Sequence, residues 1–342
     1  MRITLKRVAD ELGLSVSTVS HVLNGKGGSY NEATRKRISD AAEKLGYVPN
    51  ASARAMRTGK FGTIALIMSN DPNRSMLFQA MATGICERLE EKGYHLILSI
   101  LSDEQLTDPN FLPNIMRTWM VDGILVAYFN NIPKRFEELL KDNNIPSIWL
   151  NRQGRYDAVN SDDGPAVEKL VEHLYSLGHR NIAFSEFTGA TRVKGSSMGV
   201  RYDTFVRKAE SMNIKHTRWG TDEYTPRKDR IGLCQKFLTK RNRPSAVIAL
   251  SPSNANPVLD AARLLDINIP DELSLITFAD DRTDLSGIEI ASLMIPLREI
   301  GECAVDLLLK KIKTPVKRVG SKKIELDYHK GETVSKAPKR RK

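Results

Sequence analysis

The sequence predicts a small all-α head carrying a helix-turn-helix, followed by a larger α/β core whose parallel sheets form two lobes. Three observations carry this prediction. Residues 3–24, ITLKRVADELGLSVSTVSHVLN, hold two apolar stripes at helical spacing on either side of a glycine. From Thr63 onward, short apolar runs alternate with amphipathic helical stretches. The charge changes over the same boundary. The first 60 residues hold 11 Lys/Arg against 5 Asp/Glu, and the last seven, KAPKRRK, add five cations. The stretch between them is neutral, with 36 charges of each sign.

In the head, the Thr4 hydroxyl can cap a first helix whose apolar stripe is Leu5, Val8, Ala9 and Leu12. Gly13 supplies the left-handed residue that ends it. Ser15 caps a second helix with Val19, Val22 and Leu23 inward, and residues 16–21 project outward. Small Ala9 lets the two helices cross closely. A third helix starts at Asn31 and Glu32 and buries Ile38, Ala41, Ala42 and Leu45 before Gly46. The glycines of NGKGGSY have no strand before them, so they form a connection rather than a phosphate cradle. In YVPNASARAMRTGK, Pro49 sets the chain direction, Asn50 can cap, and residues 51–56 suit one or two helical turns. So short a helix folds only against a partner.

In the core, TIALIM, HLILSI, DGILVAY and PSIWL read as buried strands, with helices over 76–92, 111–119 and 134–143. A second series follows: a helix over 161–177, NIAFS, a helix over 202–212, SAVIAL, a helix to Leu265, and LSLITFA. Parallel sheets place ligands at the carboxyl ends of their strands, here in a cleft between two lobes.

Composition bounds the function. A hydrophobic share of 41% with 27% charged residues is ordinary for a globular chain. No apolar run approaches the ~20 residues that span a bilayer. The N-terminus begins a capped helix rather than a secretion signal, so no membrane partner and a cytoplasmic, nucleoid-associated location are expected. Cys86, Cys234 and Cys303 lie far apart in apolar contexts and read as buried thiols. His173 and His179 lack metal-ligand spacing, so no metal or cofactor is expected. GSSMG at 195–199 fits G-x-S-x-G, but no strand feeds Ser197, as a nucleophile elbow requires.

The run T-x-x-x-V-A-x-x-x-G-x-S-x-x-T-V-S-x-V-L-N, followed by Y-x-P-N-x-x-A-R, resembles the lac-repressor/galactose-repressor family of bacterial transcriptional regulators. A looser match covers nearly the whole chain. The resemblance implies a DNA-binding domain over 1–48, a hinge helix over 49–60, and a periplasmic-binding-protein-like core over 61–333. Its N-lobe would comprise 61–160 and 292–320, and its C-lobe 161–291 and 321–333, with a basic disordered tail over 334–342. It implies a homodimer on a palindromic double-stranded operator, acting as a repressor under a sugar-related small-molecule effector. An activator or an effector-independent regulator is the alternative. A solute-binding protein would need an export signal and no head, and a sugar-active enzyme an acid–base pair that cannot be placed.

For DNA contact, Val16 can meet a thymine methyl and Ser17 can pair with several bases. His21 stands where the family usually has arginine; base readout and a phosphate or water contact both remain open. Thr4, Ser15, Thr18, Ser20 and Asn24 suit capping and phosphate positioning. In the family the hinge becomes helical on DNA and pairs with its dimer mate in the minor groove. Met56 matches its wedging leucine, Ala53 its small contact residue, and Asn50 and Arg54 its motif. For the effector, Arg201 and Asp163 match polar contacts. Ser251 and Pro252 replace an Asn-Asp, Ala279 replaces the first aspartate of a G-F-D-D whose second is Asp280, and Ile295 replaces a glutamine. Asp71, in SNDPN, could restore lost contacts. This set favours a ligand with few polar groups, one of them anionic toward Arg201.

Overall fold

The computed structural model describes residues 3–23, 27–47, 60–71, 74–111, 121–128, 131–153, 156–188, 196–220, 224–282, 284–285 and 287–339. Asn24, Asn50, Ala53, Arg54, Met56 and most of the helix expected over 111–119 lie outside them. The chain separates into two units, 1–61 and 62–342.

The first unit has three helices, α1 (Leu5–Leu12), α2 (Val16–Leu23) and α3 (Glu32–Lys44). Each start has a side-chain cap. Thr4 Oγ1 accepts from the Arg7 amide, Ser15 Oγ from the Thr18 amide, and Asn31 Oδ1 from the Thr34 amide. At Gly13, φ is 64°, and its N–H closes α1 onto Asp10 O. Val8, Ala9, Val19, Ile38 and Ala42 are buried between the helices. Arg37 donates to Leu12 O at 2.8 Å, tying α3 to the end of α1.

The second unit contains two six-stranded sheets. The first comprises β1 (Thr63–Ser69), β2 (His95–Leu101), β3 (Gly123–Val126), β4 (Ser147–Leu150) and β5 (Ala158–Ser161), with helices α4 (Gln79–Glu91), α5 (Asp103–Thr107) and α6 (Lys134–Asp142). The second lobe begins with α7 (Asp163–Ser176), β6 (Asn181–Ser185), α8 (Ser197–Ser211), β7 (Lys215–Trp219), α9 (Arg227–Leu238), β8 (Ala246–Ala249), α10 (Pro252–Leu264), β9 (Ser274–Ala279) and β10 (Ala291–Met294). The chain then returns to the first lobe through α11 (Leu297–Lys313) and β11 (Ser321–Ile324), and ends in the second with β12 (Asp327–His329). The strand orders are β11-β5-β4-β3-β1-β2 and β12-β10-β9-β8-β6-β7. All neighbours are parallel except β12, which runs antiparallel to β10.

These pairings correct the expected lobe boundaries. β10 pairs with β9, and β11 pairs with β5. The second crossing therefore falls between Met294 and Leu297, and the third between Ile324 and Asp327, each one strand later than expected. Burial on both faces makes β1, β3 and β8 almost wholly apolar and leaves β6 and β9 wholly buried with apolar residues in the majority, as parallel sheets require. On the first sheet, α4 and α11 cross so closely that a Cβ at Gly84 would collide with Arg298 O, and one at Gly301 with Met81 O. Only glycine lets these backbones meet.

The disorder expected over 334–342 is corrected at 335–337, while 340–342 lie outside the described residues. Ser335 Oγ donates to Pro270 O and the Ala337 amide to Leu177 O, so this stretch is laced to the second lobe. Of the three cysteines only Cys234 is buried, its thiol pushed up to about 12 by burial; Cys86 is exposed and Cys303 half-buried. Neither Cys86 nor Cys303 is the buried thiol expected.

Candidate functional site

On α2, Val16, Ser17 and His21 are exposed, and Thr18 and Ser20 are half-buried. At 100° per residue, Val16, Ser17, Ser20 and His21 fall within one arc opposite the buried Val19. The amino-terminal end of this arc is ordered by hydroxyls. Ser15 Oγ lies 2.8 Å from Ser17 Oγ and 2.9 Å from Thr18 Oγ1 while capping the helix. Ser15 and Thr18 are thus occupied in building the helix start, and Thr4 in capping α1. Val16 and His21 present side chains outward, with the helix amino terminus as a partial positive charge for phosphate.

In the core, Asp163 and Arg201 come together. Arg201 Nε donates to Asp163 Oδ1 at 2.7 Å, and the two side chains are 5% and 0% exposed. The guanidinium carbon lies 4.3 Å from the Phe278 ring centre. Ser161 Oγ donates to Asp163 Oδ2 at 2.7 Å, and Gln153 Nε2 reaches the same oxygen at 3.4 Å. Asn151, at φ 54°, accepts from Ser197 Oγ, and Arg152 bridges to Ser196 by backbone. The segment after β4 thereby joins the start of α8 across the lobes. Asn151, Gln153 and Ser161 were not singled out by their local sequence, since loop and strand-end polar residues carry no period, and Ser197 stood out there only as a nucleophile that no strand feeds.

This geometry removes the ground for an anion on Arg201, whose charge is met by a buried carboxylate. The other expected residues are placed variously. Ser251 starts α10 and its hydroxyl accepts from Asn254 Nδ2 at 2.7 Å. Ala279 is buried at the end of β9, Asp280 is exposed just beyond it, and Ile295 packs against both lobes' cores. Asp71 is half-buried past β1, its amide donating to Ser69 Oγ.

A further polar group lies at the carboxyl ends of β1, β2 and β3, where sequence reasoning saw only strand and loop. Arg74 Nη1 donates to Asp103 Oδ2 at 2.9 Å, and its guanidinium carbon lies 5.6 Å from the Tyr128 ring centre. The bond to Asp103 holds the Arg74 pKa above its ordinary value. Burial pushes the Tyr128 phenol up, with Ser69 and Arg74 pulling it partway back. Among the described residues no group of three or more His, Cys, Asp or Glu could hold a metal ion, and no helix is long and apolar enough to cross a membrane.

Residues 4–50 match the model of bacterial regulatory proteins of the lacI family, and residues 171–333 that of a periplasmic binding protein-like domain. Catabolite control protein A of Priestia megaterium is 29% identical over 317 residues, covering 91% of this chain and 92% of that protein. The lac repressor dimer bound to operator and the anti-inducer ONPF superposes with a TM-score of 0.76 at 19% identity, over 98% of this chain and 100% of that one. The regulator CelR in complex with cellobiose gives 0.63 at 20% identity, over 97% and 100%.

Proposed function

Because this chain belongs to the lacI family of bacterial regulatory proteins, we propose that it binds a palindromic operator as a homodimer, in the cytoplasm, and represses transcription under a neutral small-molecule effector. One observation carries the DNA half: a capped helix-turn-helix presents Val16, Ser17 and His21 on one outward arc. Val16 and Ser17 meet base edges, and His21 meets a base or a phosphate one turn further along. Met56, with Asn50, Ala53 and Arg54, is assigned to the family's minor-groove contact, Met56 as its wedge. The effector lies between the lobes near Arg201 and Asp163. Their mutual neutralisation favours an uncharged ligand, and the sugars bound by related regulators are the first class to test.

Gel shifts test the reading. A chain beginning at residue 62 retains both sheets and should lose selection for the sequence that the full chain prefers. Unchanged selection by the headless chain would defeat the assignment.

A further inference from the structure

The amino ends of the second sheet gather charge that neither the head nor the cleft uses. Backbone and side-chain bonds bring the loops together there. The Lys215 amide donates to Arg180 O at 2.9 Å, and Asn181 Nδ2 donates to Asn242 O at 3.0 Å and Arg243 O at 3.1 Å. Buried His179 lies 2.9 Å from Ser245 Oγ and 3.1 Å from Ser335 O, which brings the basic stretch after Thr333 to the same face. Arg180, Lys215, Lys240, Arg241, Lys336 and Lys339 are all exposed, and among the described residues none is paired with a carboxylate. The sequence continues with Arg340, Arg341 and Lys342. Acids are fewer. Glu272 is taken by Arg243 at 2.9 Å, and Glu289, beside His329, lies with Glu332 on the β10 side. Asp266 and Asp271 remain as the exposed acids of the adjoining loop. Lys240, Arg241 and Arg243 line a groove of about 360 Å³ with Leu238, Leu265 and Ile267.

Long, exposed cations without carboxylate partners attract a polyanion, because each phosphate they neutralise releases a counterion. An acidic protein would need an apolar centre to its interface, and the exposed large apolar side chain at this end, among the described residues, is Leu264. Single-stranded nucleic acid would need open aromatic faces for its bases. Tyr175 and Phe237 are already stacked, with the Arg180 guanidinium carbon 3.4 Å from the one ring centre and the Trp219 ring 5.1 Å from the other. A duplex needs phosphate contacts only, and a head on its operator holds the adjoining duplex at high effective concentration.

The face is not turned to the operator itself. All three crossings between the lobes leave from carboxyl ends, those of β5, β10 and β11, so the amino ends of both sheets point away from the cleft. The head joins at the amino end of β1, where the Gly62 amide donates to Asp122 Oδ2 at 2.8 Å. The basic face lies at the amino ends of the other sheet. Resting on the reading of the head as operator-binding, we propose that this face is a second, sequence-independent surface for duplex DNA, gripping a neighbouring stretch through its phosphates.

The test loads the full chain stoichiometrically with an unlabelled duplex that it selects from a random library. A fluorescent duplex of unrelated sequence is then titrated in, and its anisotropy is read over a salt series. The native protein should bind this second duplex, with an affinity that falls steeply as salt rises. A chain stopped after Ala337 and carrying Lys240→Ser and Arg241→Ser loses six cations and keeps the Ala337 bond to Leu177 O. It should bind the second duplex at least about tenfold more weakly and with a shallower salt slope, while its melting temperature and its affinity for the selected duplex stay level. Should that chain fold poorly, Lys240→Glu with Arg241→Glu leaves the tail in place and should weaken the second duplex likewise. No second-duplex binding by the native protein, or undiminished binding by the variants, would overturn the surface and leave the operator reading in place. Displacement of the second duplex by polyglutamate more effectively than by unlabelled duplex, at equal charge, would identify an acidic protein as the partner and overturn it too. Failure of the full chain to select any duplex would contradict the operator reading itself.

Discussion

Replacing Arg201 with methionine isolates the pair at the centre of the core. Methionine keeps much of the side-chain volume over Phe278 and removes the guanidinium. Asp163, 0% exposed, then keeps Ser161 at 2.7 Å and the longer contact to Gln153, but no counter-charge. Breaking one side of a buried ion pair costs about 3–5 kcal/mol, because a desolvated charge is left behind. The exposed pair Arg207–Glu168, at 2.9 Å with side chains 66% and 41% exposed, serves as control. Arg207→Met should cost about 0–1 kcal/mol, since water and salt already screen that pair. Urea unfolding of the core, followed by circular dichroism, gives both values. The double variant Arg201→Met, Asp163→Asn should lose less than the sum of the singles by at least about 1 kcal/mol, because no orphan charge remains. Additive losses, or a loss for Arg201→Met within the range of the exposed control, would refute the pairing as the organising contact.

Three further outcomes follow from the structure. Ile38→Ala, in a head with five buried core residues, should cost about 2–5 kcal/mol and unfold the head; DNA binding should vanish while the core's thermal transition stays put, and a shifted core transition would contradict its independence. His21→Arg should change base preference at one position of each half-site, since arginine favours the paired acceptors of guanine; an identical selected site would remove His21 from base readout. His179 is buried between Ser245 and Ser335, and burial lowers its pKa. The unfolded chain then binds more protons than the native one below pH ~6.5, so the stability from neutral His179 is complete above that value and declines as pH falls toward the lowered pKa. Unfolding free energies at a series of pH values should show this decline, and His179→Gln should flatten it.

The head was legible because its signals are local. Thr4, Ser15 and Asn31 each cap within three residues, and Gly13 alone can turn the corner between α1 and α2. Strands buried on both faces were legible for a similar reason: β1, β3 and β8 are continuous apolar runs apart from Thr63 and Ser69 at the ends of β1. β7 lacks such a run, since it lies at a sheet edge and buries only Trp219. The alternation read from sequence ends at Ala279 and leaves β10, α11, β11 and β12 unassigned. β11 pairs with β5 and α11 packs on α4, both remote in the chain, so their lobe is fixed by packing rather than by any local pattern. The site was half legible. Arg201 and Asp163 are each recognisable as polar groups needing a partner, but 38 residues separate them, and only the fold shows that each is the other's partner. Tyr128 reads in sequence as the end of an apolar strand, and its place under the Arg74 guanidinium becomes visible only in the fold.

Selection of duplexes by the full chain from a random library tests the central claim most directly. A two-fold dimer with one helix-turn-helix per half-site predicts an enriched sequence made of two inverted half-sites, lost when Val16 and Ser17 are both replaced by Glu. Enrichment of an unsymmetrical sequence, or the same palindrome selected by the doubly substituted chain, would contradict it.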